Sequence, residues 1–290
     1  MSSLLRHREL PAPSERIALG KRGLRVSPLC IGMVSDPRTI PYAFDAGINF
    51  FFVSTDLHWP LYEPTRKGLK MLLARSPSIR EQVVIAGASY ITQVGFWRNA
   101  YPELIISVPR LSYIDVPVIG ATYTDFNRRR AEYGIGLPLA KKGEHRTTRA
   151  FGCSFHDREV AAEALSDREI DIAFVRYNTA HLGLEKEVLP SMSALRGNPR
   201  PRLFTFSTTK SFLDASRFGN VKGKPLPWQP RRVDHYRFAL TQKRIDGILC
   251  SPMKPREVRG IVDALAEGPL KAEELDYMRR LPHLKFDAKR

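Results

Sequence analysis

The sequence predicts a closed (β/α)8 barrel, and three observations lead to it. Eight short β-rich runs recur from one end of the chain to the other. Segments of helical spacing, or long connections, separate them. Each run is apolar on both faces rather than at alternate positions. That last feature marks parallel strands covered by helices on one side and a core on the other. Eight such units in succession make the barrel pattern. A chain of 290 residues suits one such domain, since a barrel takes ~250.

Taken in order, "RIALGKRGLRVSPL" (16–29) holds two short alternating segments around Lys21, Arg22 and Gly23. This reads as a β-hairpin placed to plug the N-terminal mouth of the barrel. The eight strands are expected at 29–33, 48–53, 83–86, 114–119, 150–154, 170–175, 203–206 and 248–250. Helical spacing predicts helices over 64–74, 157–165, 185–195 and 255–266. Two connections, 120–148 and 208–244, exceed any simple turn, the second carrying Gly219 and Gly223. Long loops at the C-terminal mouth of a barrel shape its pocket. The expected organisation is an N-terminal arm, 1–15, and a single barrel domain, 16–290.

Composition narrows the function classes. Lys and Arg number 46 against 30 Asp and Glu, a formal net charge of +16. So positive a field favours anionic partners. The basic residues are nonetheless scattered: the densest runs are 128–130, 141–142 and 231–232, with no helix-turn-helix, zinc-finger or aromatic–basic pattern beside them. The expectation is a solvated basic surface with no nucleic-acid site. Cys30, Cys153 and Cys250 lie far apart with no CxxC spacing, which argues against a disulfide framework or zinc ribbon. No apolar run approaches the ~20 residues of a membrane span. The opening "MSSLLRHRELPAPSER" lacks a signal-peptide core. A cytoplasmic protein acting on a small molecule is expected.

Several segments, in order, resemble the aldo-keto reductase family. "LGKRGLRVSPLCIGM" is similar to its hairpin and first strand, "FDAGINFF" to its second, "YIDVPVIG" to its fourth and "RAFGCSF" to its fifth. "DIAFVRYNTAHLGLEKEVLP" resembles the sixth strand and its helix, "FTFSTTK" the seventh strand, and "GILCSPMKPREVRGIVDAL" the eighth with the cofactor-phosphate helix. The resemblance spans residues 16–281. It implies a TIM barrel and NADPH-dependent carbonyl reduction, with a Tyr donating the proton, a Lys and an Asp tuning it, and a His orienting the carbonyl. A phenol gives up its proton more readily when an ammonium sits beside it.

Carried over position by position, that tetrad is absent. The Asp falls on Phe52, the Tyr near Leu57, the Lys on Ala88 and the His on Gly120. At the nicotinamide end the resemblance keeps Ser154 but puts Phe155 and Phe174 where an Asn and a Gln are usual. At the phosphate end it keeps Ser251 and Arg256, with Cys250 and Gly260 replacing a Lys and an Asn. Lys254 and Arg259 add charge there. Arginine suits phosphate through its planar fork, and a helix N-terminus adds free N–H donors. NADP therefore stands as a possible cofactor, held by Ser154, Ser251, Lys254 and Arg256.

Other residues offer acid–base chemistry. In "DLHWPLYEP" (56–64), Asp56, His58 and Tyr62 follow the second strand, and a His beside a carboxylate and a phenol can act as base, acid or oxyanion donor. The competing reading is a packed loop with Trp59 buried, Pro60 starting a helix and Asp56 capping it. His156 follows the fifth strand with Cys153 and Asp157 beside it. His156 with His58 and a carboxylate has the ligand types of a Zn²⁺ or Fe²⁺ site, but no metal is expected. His181 reads as structural, Cys153 as a small buried hydrophobe, and Lys210 as either solvated or a partner for phosphate or carboxylate. Three functions fit. One is a barrel enzyme acting on a small, carbonyl-type substrate by acid–base chemistry rather than hydride transfer. The second is an NADPH-dependent oxidoreductase whose proton donor has moved to Tyr62 or Tyr90. The third is a non-catalytic barrel that binds a ligand or partner.

Overall fold

Eight parallel strands close on themselves: β3 (Leu29–Ile31), β4 (Phe50–Ser54), β5 (Val84–Ser89), β6 (Val116–Ala121), β7 (Gly152–Phe155), β8 (Ile172–Arg176), β9 (Arg202–Phe206) and β10 (Gly247–Cys250). Neighbours in sequence pair in space, and β10 pairs with β3 to complete the ring. Ahead of them β1 (Ile17–Leu19) and β2 (Leu24–Val26) form an antiparallel hairpin. The computed structural model describes residues 9–20, 22–56, 58–90, 94–121, 149–165, 170–194, 200–213, 220–221 and 224–284. Of the two connections expected to shape the mouth, 120–148 lies almost wholly outside the described residues, and 208–244 contains a helix, Asp234–Thr241.

All eight expected strands are present, most displaced towards their C-terminal ends. The run at 48–53 becomes Phe50–Ser54 because Ile48 packs outward and Asn49 belongs to the turn. Its side-chain amide donates to Arg25 O at 3.0 Å, and its oxygen accepts Ser27 N–H at 2.8 Å. At the other end the ladder runs on into Ser54, Ser89 and Arg176, polar residues that a search for apolar runs leaves out.

Strand alternation divides the core in two. Phe51 and Val53 face the helices, while Phe50 and Phe52 face the lumen. The lumen is unusually aromatic. Phe50 meets Phe204 edge-on at 5.6 Å, Phe52 meets Phe174 at 5.3 Å, and Phe174 meets Phe204 at 5.9 Å between ring centroids. Each buried ring stabilises the fold by roughly 1.5–3 kcal/mol. From below, Leu19, Leu24 and Val26 of the hairpin join this cluster, and Arg202 Nε donates to Ala18 O at 2.9 Å. The hairpin does plug the N-terminal mouth.

At that same mouth three aspartates clamp neighbouring strands. Asp115, Asp171 and Asp246 precede β6, β8 and β10, and accept the backbone N–H of Ile85, Phe151 and Leu203, each at 2.9 Å. Asp115 is fully buried and also pairs with Arg80 (2.9 Å) and Arg149 (3.1 Å).

Helices α1 (Thr39–Asp45), α2 (Glu63–Ala74), α3 (Ile79–Gln82), α4 (Val94–Ser107) and α5 (Arg158–Leu165) occupy the first half of the outer layer. The segment expected as one helix over 185–195 is instead a π turn, Leu184–Val188, leading into α6 (Leu189–Ala194). Pro190 lacks an N–H and crowds the carbonyl four residues back, which disfavours an ordinary turn there. Helices α7 (Asp234–Thr241), α8 (Pro255–Ala266) and α9 (Ala272–Arg280) follow. No helix among the described residues is long and apolar enough to cross a membrane.

Candidate functional site

The lumen-facing rows end at the C-terminal mouth, and the residues that end them define the site. On β5 the row Val84, Ala86, Ala88 continues to Tyr90, just past the strand. The Tyr90 ring lies directly over Gly120 on β6: a Cβ there would stand 2.1 Å from Tyr90 Cδ1. Only glycine admits the ring. The Tyr90 hydroxyl shares a hydrogen bond with Ser154, the last lumen-facing residue of β7. Burial raises this phenol to about 12, with the Ser154 bond opposing and the Asp56 charge adding.

Tyr62 lies beside the same layer, its ring 6.1 Å from that of Phe52. Burial pushes it above the ordinary phenol value, with smaller contributions from Tyr90 and Cys30. With Ala88 on the row below, Tyr90 has no lysine there to lower it, so both phenols keep their protons at neutral pH. On β4 the lumen row ends at Ser54, whose fully buried hydroxyl has no hydrogen-bond partner among the described residues.

Asp56 is turned towards β5. It accepts Ser89 Oγ at 2.6 Å and Tyr90 N–H at 2.8 Å, and so fixes the backbone that carries the Tyr90 ring. His58 is exposed and meets the Tyr90 ring edge-on at 4.8 Å. The structure thus brings His58, Asp56, Tyr62 and Tyr90 around one point, with Asp56 in a holding role. The packed-loop reading is corrected in two respects. Trp59 is 45% exposed, because its face is covered by a guanidinium rather than by apolar core: Arg66 Cζ stands 5.1 Å from the ring centroid. Neither the 3-10 turn Trp59–Tyr62 nor α2 has a side-chain cap from this loop.

The opposite rim is basic. His156 follows β7 and packs edge-on against Phe206 at 5.1 Å. Arg176 ends the lumen row Ile172, Phe174 of β8, in register with Phe206 of β9. Lys210 lies in the turn after β9, where its N–H donates to Ser207 O at 3.1 Å. His156 is held below its ordinary value by burial, then by the charges of Arg176, Lys210 and His58. His181, bonded through Nδ1 to Asn178 Oδ1 at 3.1 Å, is lowered by burial, then by Arg176, Arg158 and Lys210. Asp157 is committed to capping α5, accepting Glu159 and Val160 N–H at 2.9 and 3.1 Å. Cys153 faces the outer core rather than the lumen. Among the described residues no group of three or more His, Cys, Asp or Glu is arranged to hold a metal. Arg176 escaped the sequence reading, although a signal existed: a cation closing an apolar strand at the C-terminal face, in step with the lumen row.

The remaining predicted cofactor residues gather at β10 and α8. Ser251 follows β10, while Lys254 and Arg256 are exposed at the start of α8. Glu257 in the same turn accepts Met253 N–H at 3.0 Å, placing a carboxylate among these cations. Arg259 is turned away, its Nε donating to Tyr42 Oη at 3.0 Å. Cys250 is buried, its thiol raised to about 12 by burial.

Solved structures with this architecture include an aldo-keto reductase from Bacillus halodurans in its holo form, at 16% identity and TM-score 0.70, with 95% of this chain and 98% of that chain covered. An aldo-keto reductase from a Medee basin deep-sea metagenome library matches at 12% identity and TM-score 0.64, with the same coverage. One from Bombyx mori, in complex with NADP, matches at 16% identity and TM-score 0.63, covering 92% of each chain. The chain has the aldo-keto reductase fold. No family model and no curated protein matches the sequence.

At these identities the aldo-keto reductase likeness concerns architecture, so the fit of a nicotinamide cofactor is a question for this chain's own residues. The phosphate end retains Ser251, Lys254 and Arg256, tempered by Glu257. The nicotinamide end does not fit. Ser154 is engaged by the Tyr90 hydroxyl, Phe174 fills the lumen beside Phe52, and Tyr90 occupies the space above Gly120.

Proposed function

We propose that this chain is an enzyme that uses the aldo-keto reductase fold for acid–base chemistry on a small, carbonyl-type substrate, without hydride transfer. The observation that carries the reading is Tyr90, seated over Gly120, bonded to Ser154 and met edge-on by His58. An imidazole beside a phenol that keeps its proton is the pair that proton transfer next to a carbonyl requires. His58 takes a proton from the carbon beside the carbonyl. The Tyr90 hydroxyl donates a hydrogen bond to the oxygen as negative charge gathers there. The His58 imidazolium then returns the proton, so the step balances without an oxidant or reductant. Asp56 is a positioning residue that holds Tyr90 through its backbone. Tyr62 closes the layer beneath.

The rival reading, NADPH-dependent reduction with Tyr90 or Tyr62 as relocated donor, draws on Ser251, Lys254 and Arg256. Two measurements separate them. In the first, the chain is incubated in deuterated water with a panel of small aldehydes, ketones and keto acids, and exchange beside the carbonyl is followed by NMR. Exchange lost in His58→Ala with an unchanged melting temperature supports the acid–base reading. No exchange with any member of the panel counts against it. In the second, millimolar NADPH is expected to leave cofactor fluorescence and melting temperature unmoved. A response that Arg256→Ala abolishes favours the rival.

A further inference from the structure

We propose that the basic rim formed by Arg176, Lys210 and His156 is a subsite for an oxyanion, a carboxylate or phosphate carried by the substrate. The inference rests on the mouth being the active site, and it names the substrate class of that site.

Geometry places the three residues together. They follow three consecutive barrel strands: His156 directly after β7, Arg176 at the end of β8 and Lys210 in the turn after β9. His156 and Arg176 both fall on lumen-facing parity, after Ser154 and after Phe174. Phe206 links them, in register with Arg176 and edge-on to the His156 ring at 5.1 Å. Charge then separates this cluster from the ion-paired arginines of the barrel. Arg158 beside it is bound to Glu187 at 2.8 Å, and Arg80, Arg200 and Arg231 each pair with an aspartate. Among the described residues neither Arg176 nor Lys210 makes an ion pair, although Arg176 is half-buried. A partly desolvated guanidinium with no counter-charge is costly unless something negative joins it. Among the described residues the nearby carboxylates are committed elsewhere, Asp157 to the start of α5 and Glu187 to Arg158. The like charges of Arg176 and Lys210 press on both His156 and His181, so an anion here relieves several repulsions at once. A planar guanidinium, with an ammonium on the turn after the next strand, is matched to a carboxylate or phosphate.

The test uses the full chain and two probes, inorganic phosphate and acetate, at low ionic strength, with affinity read by calorimetry and melting temperature. At least one probe is expected to bind and raise the melting temperature, and its identity separates a phosphate-bearing substrate from a carboxylate. Arg176→Gln and the exposed Lys210→Gln are each expected to weaken binding at least tenfold, so a folding defect in the first leaves the second decisive. Arg256→Ala serves as the control for anions drawn to the start of α8 and is expected to bind normally. Absence of binding by both probes overturns the proposal, as does binding equal in wild type and Lys210→Gln, or binding lost only in Arg256→Ala. His58→Ala is expected to retain anion binding while losing proton exchange, so the subsite and the acid–base reading fail separately.

Discussion

Tyr90 and Gly120 are complementary across two barrel strands: the ring of one occupies the volume where the other would need a side chain. Gly120→His is therefore expected to collide with the ring and destabilise the fold by about 1–3 kcal/mol. The double variant with Tyr90→Gly is expected to recover part of that loss, because the two positions share one space. Urea unfolding of the four proteins in the cycle measures the coupling. Strict additivity would show that the ring does not sit there.

Asp115 is the buried hub of the N-terminal mouth, with Arg80, Arg149 and Ile85 N–H around it. Asp115→Ala is expected to cost about 3–5 kcal/mol, since it strands a buried guanidinium. The surface pair Arg38–Asp36 is the comparison: Asp36→Ala is expected to cost far less. Chemical denaturation ranks the two.

Acid is expected to destabilise the fold through His235. This side chain is buried and held down to about 4, chiefly by burial, against an ordinary 6.5. Between these values the unfolded chain takes up a proton that the native one refuses, so stability falls as pH drops from 6.5 through 4. The loss is roughly 3 kcal/mol for this residue. His156 and His181, lowered by burial and nearby cations, add in the same direction. Unfolding midpoints against pH should flatten in His235→Gln.

Alkali acts through the phenols. Tyr90 titrates at about 12 in the native protein and at the ordinary 10 when unfolded. Above pH 10 the unfolded state has released a proton that the native state retains, so stability declines as pH rises. Tyr62, Tyr177 and Tyr236, all raised chiefly by burial, act in the same sense. Tyr90→Phe should remove its share, about 1.3 kcal/mol, from the difference between about pH 9 and 11. Tyrosinate absorbance and urea midpoints check both.

The barrel itself was legible in the amino-acid order. Eight apolar runs, the hairpin around Gly23 and the helix at Pro255–Ala266 all follow from local periodicity and turn chemistry, and neither depends on distant contacts. Strand ends at Ser54, Ser89 and Arg176 were not legible, because a polar residue in a ladder looks like a loop until its partner strand is known. Phe52, Ala88 and Gly120 on the barrel strands could also be read in the sequence. What packs around them could not. Nothing along the chain ties Tyr90 to Gly120 and Ser154, or His156 to Arg176. Those pairs arise only when strands far apart in sequence bend into one ring and point the same parity of side chains at the same mouth. Local periodicity chose the strands; closure of the ring chose which of their last residues meet.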